Sequence, residues 1–440
     1  MTNSAAASAF GQWLQSISPK YQLDLTTVSR AGADAGFRSY HRIAAADGRS
    51  FIAMNAEGET PESFASFIKV DGLLRNEAGL NAPEIFEADT DHRFMLLSDL
   101  GRETYLDVLN EDNARELMDR ATTALVAWQK ISRPNVLPAY SREVLQRELE
   151  LFPTWYVGRH RGVEWTEEQQ KWWRMTTEAI LDTNCREALV FVHRDFMPRN
   201  LMVSDPMPGI LDFQDALYGP LSYDIASLLR DAFISWDESF VLDTTIRYWE
   251  KARKAGIPVP ADFGNFYRDV EFMGVQRHLK VLGIFARLNY RDGKPKYLED
   301  TPRFIQYVRK TARRYIQLSP LTHLIDDLEG SETATPSDGH ARSDPRGGGR
   351  PPHAARHAHD AQAPRRGGGD AHGRSPDSCT QEGGRRGDRP QRRASRRQDR
   401  GDAWRRLRLG RAPALFSRGP HGGRSPRDAR RNREGASDAR

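Results

Sequence analysis

One interval interrupts an otherwise helical stretch, and it constrains the fold more than any other feature of the chain. Between Ala188 and Phe213 the runs ALVFVHRDF and GILDFQD read as short apolar strands, with the polar loop MPRNLMVSDPMP between them. On both sides the apolar residues recur at helical spacing: ARELMDRATTALVAWQKI and SREVLQRELELFPTWYVGRH before, SYDIASLLRDAFISW and FMGVQRHLKVLGIFARL after. A loop hung between two strands and flanked by long helices fixes polar side chains within a mainly helical body.

The first hundred residues follow a different pattern. VSRAGADAGFRSYHRI reads as strand, small-residue loop and strand, and SFIAMNA as a third strand after the turn Asp47-Gly48. PEIFEADTD and RFMLLSDLG form a further strand pair that closes at Gly101. Between these groups TPESFASFIKVDGLLRNE predicts an amphipathic helix, with Phe64, Phe67, Ile68 and Leu74 on one face and Pro61 near its start. The expected class is α+β: a β-rich lobe over 1–100 and a helical lobe over 101–330. No internal repeat is visible.

The interrupting loop carries His193-x-Asp195-x4-Asn200, then Asp212-Phe213 at a strand end and Asp224 at a helix start. Any one of these alone would usually make a turn or a cap. Together they suit phosphoryl transfer, in which the protein mostly positions groups and neutralises charge. Asp195 would orient an acceptor hydroxyl and take its proton, while Asn200 and Asp212 would offer oxygen ligands to magnesium. His193 reads as a brace for the loop, and Asp224 as a helix-start residue supporting it.

His193-Arg194-Asp195 with Asn200 resembles the catalytic loop of the protein-kinase-like superfamily, and Asp212-Phe213 resembles its metal-binding segment. The departures narrow the class. Met197 stands where protein kinases carry a lysine, Gln214 replaces a glycine, and the interval from Asp212 to Asp224 leaves no room for an activation segment. A protein substrate is therefore not expected, and the compact form resembles the aminoglycoside phosphotransferase and choline kinase branch. The strings GFRSYHR, LLSDLGRETYLDVL, ELELFPTWYVGR, FVHRDFMPRNLM, LDFQDALYGPLSYDI and MGVQRHLKVLGIFARLNYRDGKPKYL are similar to the bacterial anomeric N-acetylmuramate/N-acetylglucosamine kinases, over nearly all of Phe10 to Ile325. The resemblance implies a two-lobed protein-kinase-like fold and the use of ATP and Mg2+. It also implies phosphorylation of the C1 hydroxyl of an N-acetylated amino sugar in peptidoglycan recycling.

ATP must also be held by its phosphates and base. The loop AGADAGFRSY, with Gly32, Gly36, Phe37 and Arg38, could cover the phosphates, although two glycines in a loop also make an ordinary turn. LLSDLG resembles the hinge whose backbone at Ser98, Asp99 and Leu100 pairs with adenine. Met54 occupies the place of the superfamily's phosphate-binding lysine, so Arg38 or Arg42 is expected to supply the charge. For the sugar, Gln214 and Asp215 follow the metal strand, and Glu148, Tyr156 and Arg159 would share a helical face if Pro153 leaves the helix intact. Arg277, His278 and Lys280 make a polar cluster in an apolar helix, which suits either a substrate or a paired support network. Arg159 or Arg199 would suit a lactyl carboxylate.

Charge and composition bear on compartment and partners. The net charge of +5 is unevenly spread: residues 331–440 hold 26 Arg, no Lys and 13 acids, which leaves the preceding body acidic at −8. That tail lacks Ile, Val, Tyr and Met, so disorder is expected, and its composition matches GC-rich coding sequence read out of frame. Two cysteines and no apolar run of about 18 residues fit a cytoplasmic, reducing setting without a membrane span. The expected partner is a small amino sugar, met by a monomer, with no role for nucleic acid. The competing classes are an aminoglycoside or amino-alcohol phosphotransferase and a non-catalytic nucleotide- or nucleic-acid-binding protein.

Overall fold

The structure is a computed structural model describing residues 8–31, 38–231 and 234–330. Gly32, Gly36 and Phe37 lie outside the described residues, as does the Arg-rich tail 331–440.

The chain opens with helix α1 (Ala9–Tyr21), then strands β1 (Leu23–Arg30), β2 (Ser39–Ala45) and β3 (Ser50–Asn55). Helix α2 (Pro61–Gly72) follows, and strands β4 (Ile85–Asp89) and β5 (Phe94–Ser98) complete an antiparallel sheet of order β1-β2-β3-β5-β4. The two-residue period of the strands divides their side chains between two cores. Phe51, Ala53, Phe94 and Leu96 pack with Phe10 and Leu14 of α1. Met54, Met95 and Leu97 face the other way, toward Phe64 and Phe67 of α2, and there the core runs on into the helical part. Helix α2 begins where the sequence predicts: Thr60 accepts from the Ser63 N–H at 3.2 Å, and Pro61 takes the first turn, where no N–H is needed.

Beyond Gly101 come α3 (Tyr105–Val108), α4 (Ala114–Lys130) and α5 (Arg142–Leu149). The expected single helix through Pro153 is not formed. A wide, π-type helical segment, Phe152–Arg161, takes over after α5, with Pro153 in its first turn. Proline lacks the N–H that would continue the α5 ladder. Helix α6 (Glu167–Asn184) starts at a capping box between Thr166 and Gln169.

The interrupting segment then contributes four short strands: β6 (Leu189–Val192), β7 (Leu201–Met202), β8 (Gly209–Ile210) and β9 (Leu217–Pro220). The two strands read from the sequence do not pair with each other. β6 pairs with β9, and β7 pairs with β8. Gly219 makes the first pairing possible where β9 crosses Tyr140, because a Cβ there would lie 2.5 Å from Tyr140 Cβ. Helices α7 (Tyr223–Leu229), α8 (Glu238–Lys254), α9 (Phe263–Asp292), α10 (Thr301–Ala312) and α11 (Ser319–Glu329) close the lobe. No helix among the described residues is long and apolar enough to cross a membrane.

Candidate active site

The loop after β6 is fixed from below. The backbone N–H groups of His193 and Arg194 donate to the Asp224 carboxylate at 2.7 and 3.0 Å, and the Asp195 N–H donates to His193 Nδ1 at 3.3 Å. Asp224 is fully buried at the start of α7. Burial pushes its carboxyl up to about 7, against the two amide hydrogen bonds that pull it down. The helix start is held in turn by Glu187, whose carboxylate accepts from Ser222 N–H and Oγ, both at 2.7 Å.

The same loop brings the candidate base and metal ligands together. Asn200 Nδ2 donates to the Asp195 carbonyl at 2.9 Å, which leaves Oδ1 as the atom that could ligate a cation. The Asn200 carbonyl accepts from Leu211 N–H at 2.9 Å, so the turn holding Asn200 is tied to the residue before Asp212. Asp212 has φ +69°, in the left-handed region, and the next residue, Phe213, packs on Phe67 of α2 at 4.8 Å between ring centroids. Among the described residues no three His, Cys, Asp or Glu side chains gather. One amide oxygen and one carboxylate nevertheless suit Mg2+, which takes its other ligands from water and substrate phosphates.

On the sheet side the two candidate cations differ. Arg42 is spent on Asp99, at 2.5 and 2.9 Å, and on the Gly101 carbonyl at 2.7 Å. The Asp99 side chain, which also accepts from Ser50 Oγ at 2.7 Å, thereby fixes the hinge Ser98-Asp99-Leu100 to β2 and β3. Arg38 is 2 % exposed. Its Nη2 donates to Glu59 at 2.6 Å and to Ser63 Oγ at 3.3 Å, while Nε and Nη1 have no hydrogen-bond partner among the described residues. Burial opposes its charge, but Tyr40 and Glu59 hold it protonated. Met54 is buried in the core beneath the sheet. Glu59, Ser63 and Tyr40 escaped the sequence reading, since a capping loop and a strand tyrosine carry no signal of their own.

Several of the expected sugar residues are engaged with groups of the protein itself. Glu148 does not face outward: Oε1 accepts from Arg194 Nη2 at 2.8 Å and Lys280 Nζ at 2.5 Å, and Oε2 accepts from the Tyr140 hydroxyl at 2.6 Å. Burial would raise its pKa, but Lys280 and Arg194 hold it at about 2. Tyr156 donates to Glu329 at 2.9 Å, and Arg159 is exposed, so with the helix broken at Pro153 these two part company from Glu148. His278 is buried, stacks on Tyr307 at 5.1 Å and hydrogen-bonds the Arg230 carbonyl at 3.3 Å; burial drives its pKa down to about 3, so it is neutral. Gln214 Nε2 donates to Asp212 Oδ1 at 3.1 Å, and its backbone carbonyl accepts from Ser66 Oγ of α2 at 2.7 Å, which makes it a brace for Asp212. Asp215 is exposed beside it, and Arg199 is buried in the turn before Asn200. Arg277 does approach the loop: Nη1 donates to the Arg194 carbonyl at 3.3 Å, and its charge acts on Asp195.

Comparison with known proteins places this arrangement. Residues 27–261 match the family model described as "Phosphotransferase enzyme family". The chain belongs to this family. The match begins in β1 and runs past the loop after β6 into the loop after α8, so it spans both sides of the candidate site. An N-acetylmuramate/N-acetylglucosamine kinase of Neisseria meningitidis serogroup B is 49% identical over 73% of this chain and 95% of its own length. One from Pseudomonas aeruginosa with the same name is 46% identical over 76% of this chain and all of its own. Among solved structures, an ADP-bound aminoglycoside phosphotransferase aligns over 67% of this chain and 97% of its own, at 13% identity and a TM-score of 0.47.

Proposed function

We propose that the chain transfers the terminal phosphate of ATP to the anomeric C1 hydroxyl of N-acetylmuramate or N-acetylglucosamine, in the recycling of cell-wall sugars. As a member of the phosphotransferase family with curated relatives named as kinases of these sugars, it is an ATP-dependent sugar kinase. The observation that supports the residue assignment is the pair of hydrogen bonds made by Asn200, one to the Asp195 carbonyl and one from the N–H of Leu211, the residue before Asp212.

The Asp195 carboxylate orients the sugar hydroxyl and accepts its proton as the new O–P bond forms and the bond from the γ-phosphorus to the ADP oxygen breaks. Asn200 and Asp212 would hold Mg2+, which would supply charge neutralisation on the phosphate oxygens. Arg38, braced by Glu59 and Ser63, takes the part of the missing lysine. Residues 1–100 form the nucleotide side and 101–330 the sugar side, with adenine at the Ser98–Leu100 hinge. Asp215, Arg199 and Arg277 remain as the sugar contacts, with Gln214 bracing Asp212, and a cytoplasmic monomer suffices for the reaction.

An aminoglycoside acceptor would require an acidic pocket. Beside the carboxylates of this region stand the cations Arg194, Arg277 and Lys280, and Glu148 is already shared between Arg194 and Lys280. ATP consumption against a panel of amino sugars and aminoglycosides tests the choice. Turnover on the N-acetylated amino sugars is expected, with phosphate at C1 by NMR. Asp195→Asn is expected to lower kcat by roughly 100- to 10,000-fold while ATP binding persists. Turnover confined to aminoglycosides, or an active Asp195→Asn chain, would overturn the assignment.

A further inference from the structure

Three parts of Arg194 are held by three different elements. Its N–H donates to Asp224 at the start of α7, its carbonyl accepts from Arg277 of α9, and its guanidinium donates to Glu148 of α5. The residue needs such restraint. At φ +75° it occupies the left-handed region, where a side chain other than that of glycine is strained. Asp195 follows directly, so the direction in which its carboxylate leaves the loop depends on the backbone of Arg194.

Glu148 is itself anchored. Three of its roughly four acceptor sites are filled from within the protein, by Arg194, Lys280 and Tyr140. The Arg194 guanidinium also lies over the Tyr140 ring at 5.4 Å, and Arg277 over Tyr223 at 4.8 Å. Burying this many charges gains little stability over an apolar core. The cluster is placed instead where the backbone is strained, next to the candidate base.

We propose that Glu148 is a positioning residue for Asp195: through Arg194 it holds the loop in the strained backbone that aims the base. This rests on the reading of Asp195 as the base. The aim is set when the chain folds, by a carboxylate of its own, and does not wait for substrate. Glu148 therefore acts on turnover and not on sugar binding.

The test is steady-state kinetics of the full chain carrying Glu148→Gln, Arg194→Gly or both, with ATP and N-acetylmuramate. Glycine adopts φ +75° without strain, so the double variant should not need the clamp. Glu148→Gln is expected to lower kcat by about ten-fold or more, with both KM values within about three-fold. Added to Arg194→Gly, it should cost less than about two-fold further. A raised sugar KM with kcat retained would make Glu148 a sugar contact, and equal proportional losses in both backgrounds would show that it does not act through Arg194; either result overturns the proposal. If Glu148→Gln does not fold, Glu148→Asp keeps the charge and gives the same readout: a fall in kcat at constant KM supports the proposal, and unchanged kinetics overturn it. Failure of the wild type on every amino sugar would instead count against the functional reading, and the variants would then be read on the acceptor it does turn over.

Discussion

Arg38 and Arg42 sit four residues apart, one just before β2 and one within it, yet they leave different amounts of guanidinium for a ligand. Arg42 makes three hydrogen bonds to Asp99 and Gly101, whereas Arg38 retains two buried nitrogens without partners. A charge-assisted hydrogen bond contributes about 1.5–3 kcal/mol, so Arg38→Met is expected to raise KM for ATP by about ten-fold or more. Arg42→Met should act less on ATP and more on the order of the hinge; the reverse ranking in ATP titrations would point to Arg42 as the phosphate cation. His278 supports a pH prediction. Its folded pKa lies below the unfolded value of 6.5, so it favours the fold while neutral, and that contribution is lost as pH falls from about 6.5 toward 3. Burial is the main cause, aided by the charges of Arg230 and Arg277, with Tyr307 and Phe304 enclosing the ring. In a His278→Phe chain, the deficit in unfolding free energy relative to wild type should shrink between pH 7 and pH 5, as read by urea titration. A deficit independent of pH would show that the imidazole is not held neutral.

The elements owe their placement to a few close approaches. At Gly283, α9 runs against the backbone of Leu151, where a Cβ would meet the carbonyl carbon and oxygen at 2.3 Å. This is the junction at which α5 gives way to the wide helical segment, and α9 carries Arg277 and Lys280 within two turns of it. Gly283→Ala is expected to destabilise the chain by about 1–3 kcal/mol. It should also lower kcat, because displacing α9 moves both cations off the Arg194–Glu148 cluster. A measured Tm and kcat equal to wild type would show that the junction can yield. Many elements were legible from periodicity and turn residues, α2 with its apolar face and Pro61 near the start being one case. The strand LYGP was not, because four residues containing glycine and proline carry no alternation; it exists through its pairing with β6 and the space that Gly219 leaves beside Tyr140.

For the whole molecule, the charge division bears on what the chain contacts. Removing residues 331–440 takes away 26 Arg and leaves a body of net charge −8. A chain without them is expected to keep kcat/KM within about two-fold, since every residue assigned a role precedes Gly330, and to elute earlier from a cation exchanger's salt gradient. Loss of activity in the shortened chain would give the segment a role that its composition does not suggest. From sequence alone the two-lobed plan was legible, and so was the candidate set Asp195, Asn200 and Asp212, because those three lie close along the chain with a recognisable spacing. Tertiary structure decided what lies between distant segments: that Glu148 faces Arg194 and Lys280, that Tyr156 meets Glu329, and that Arg38 finds Glu59 while Arg42 finds Asp99. Spacing can state which residues share a loop or a helix face. It cannot state which buried charge meets which, because that follows from how helices far apart in sequence pack, and packing chose the partners.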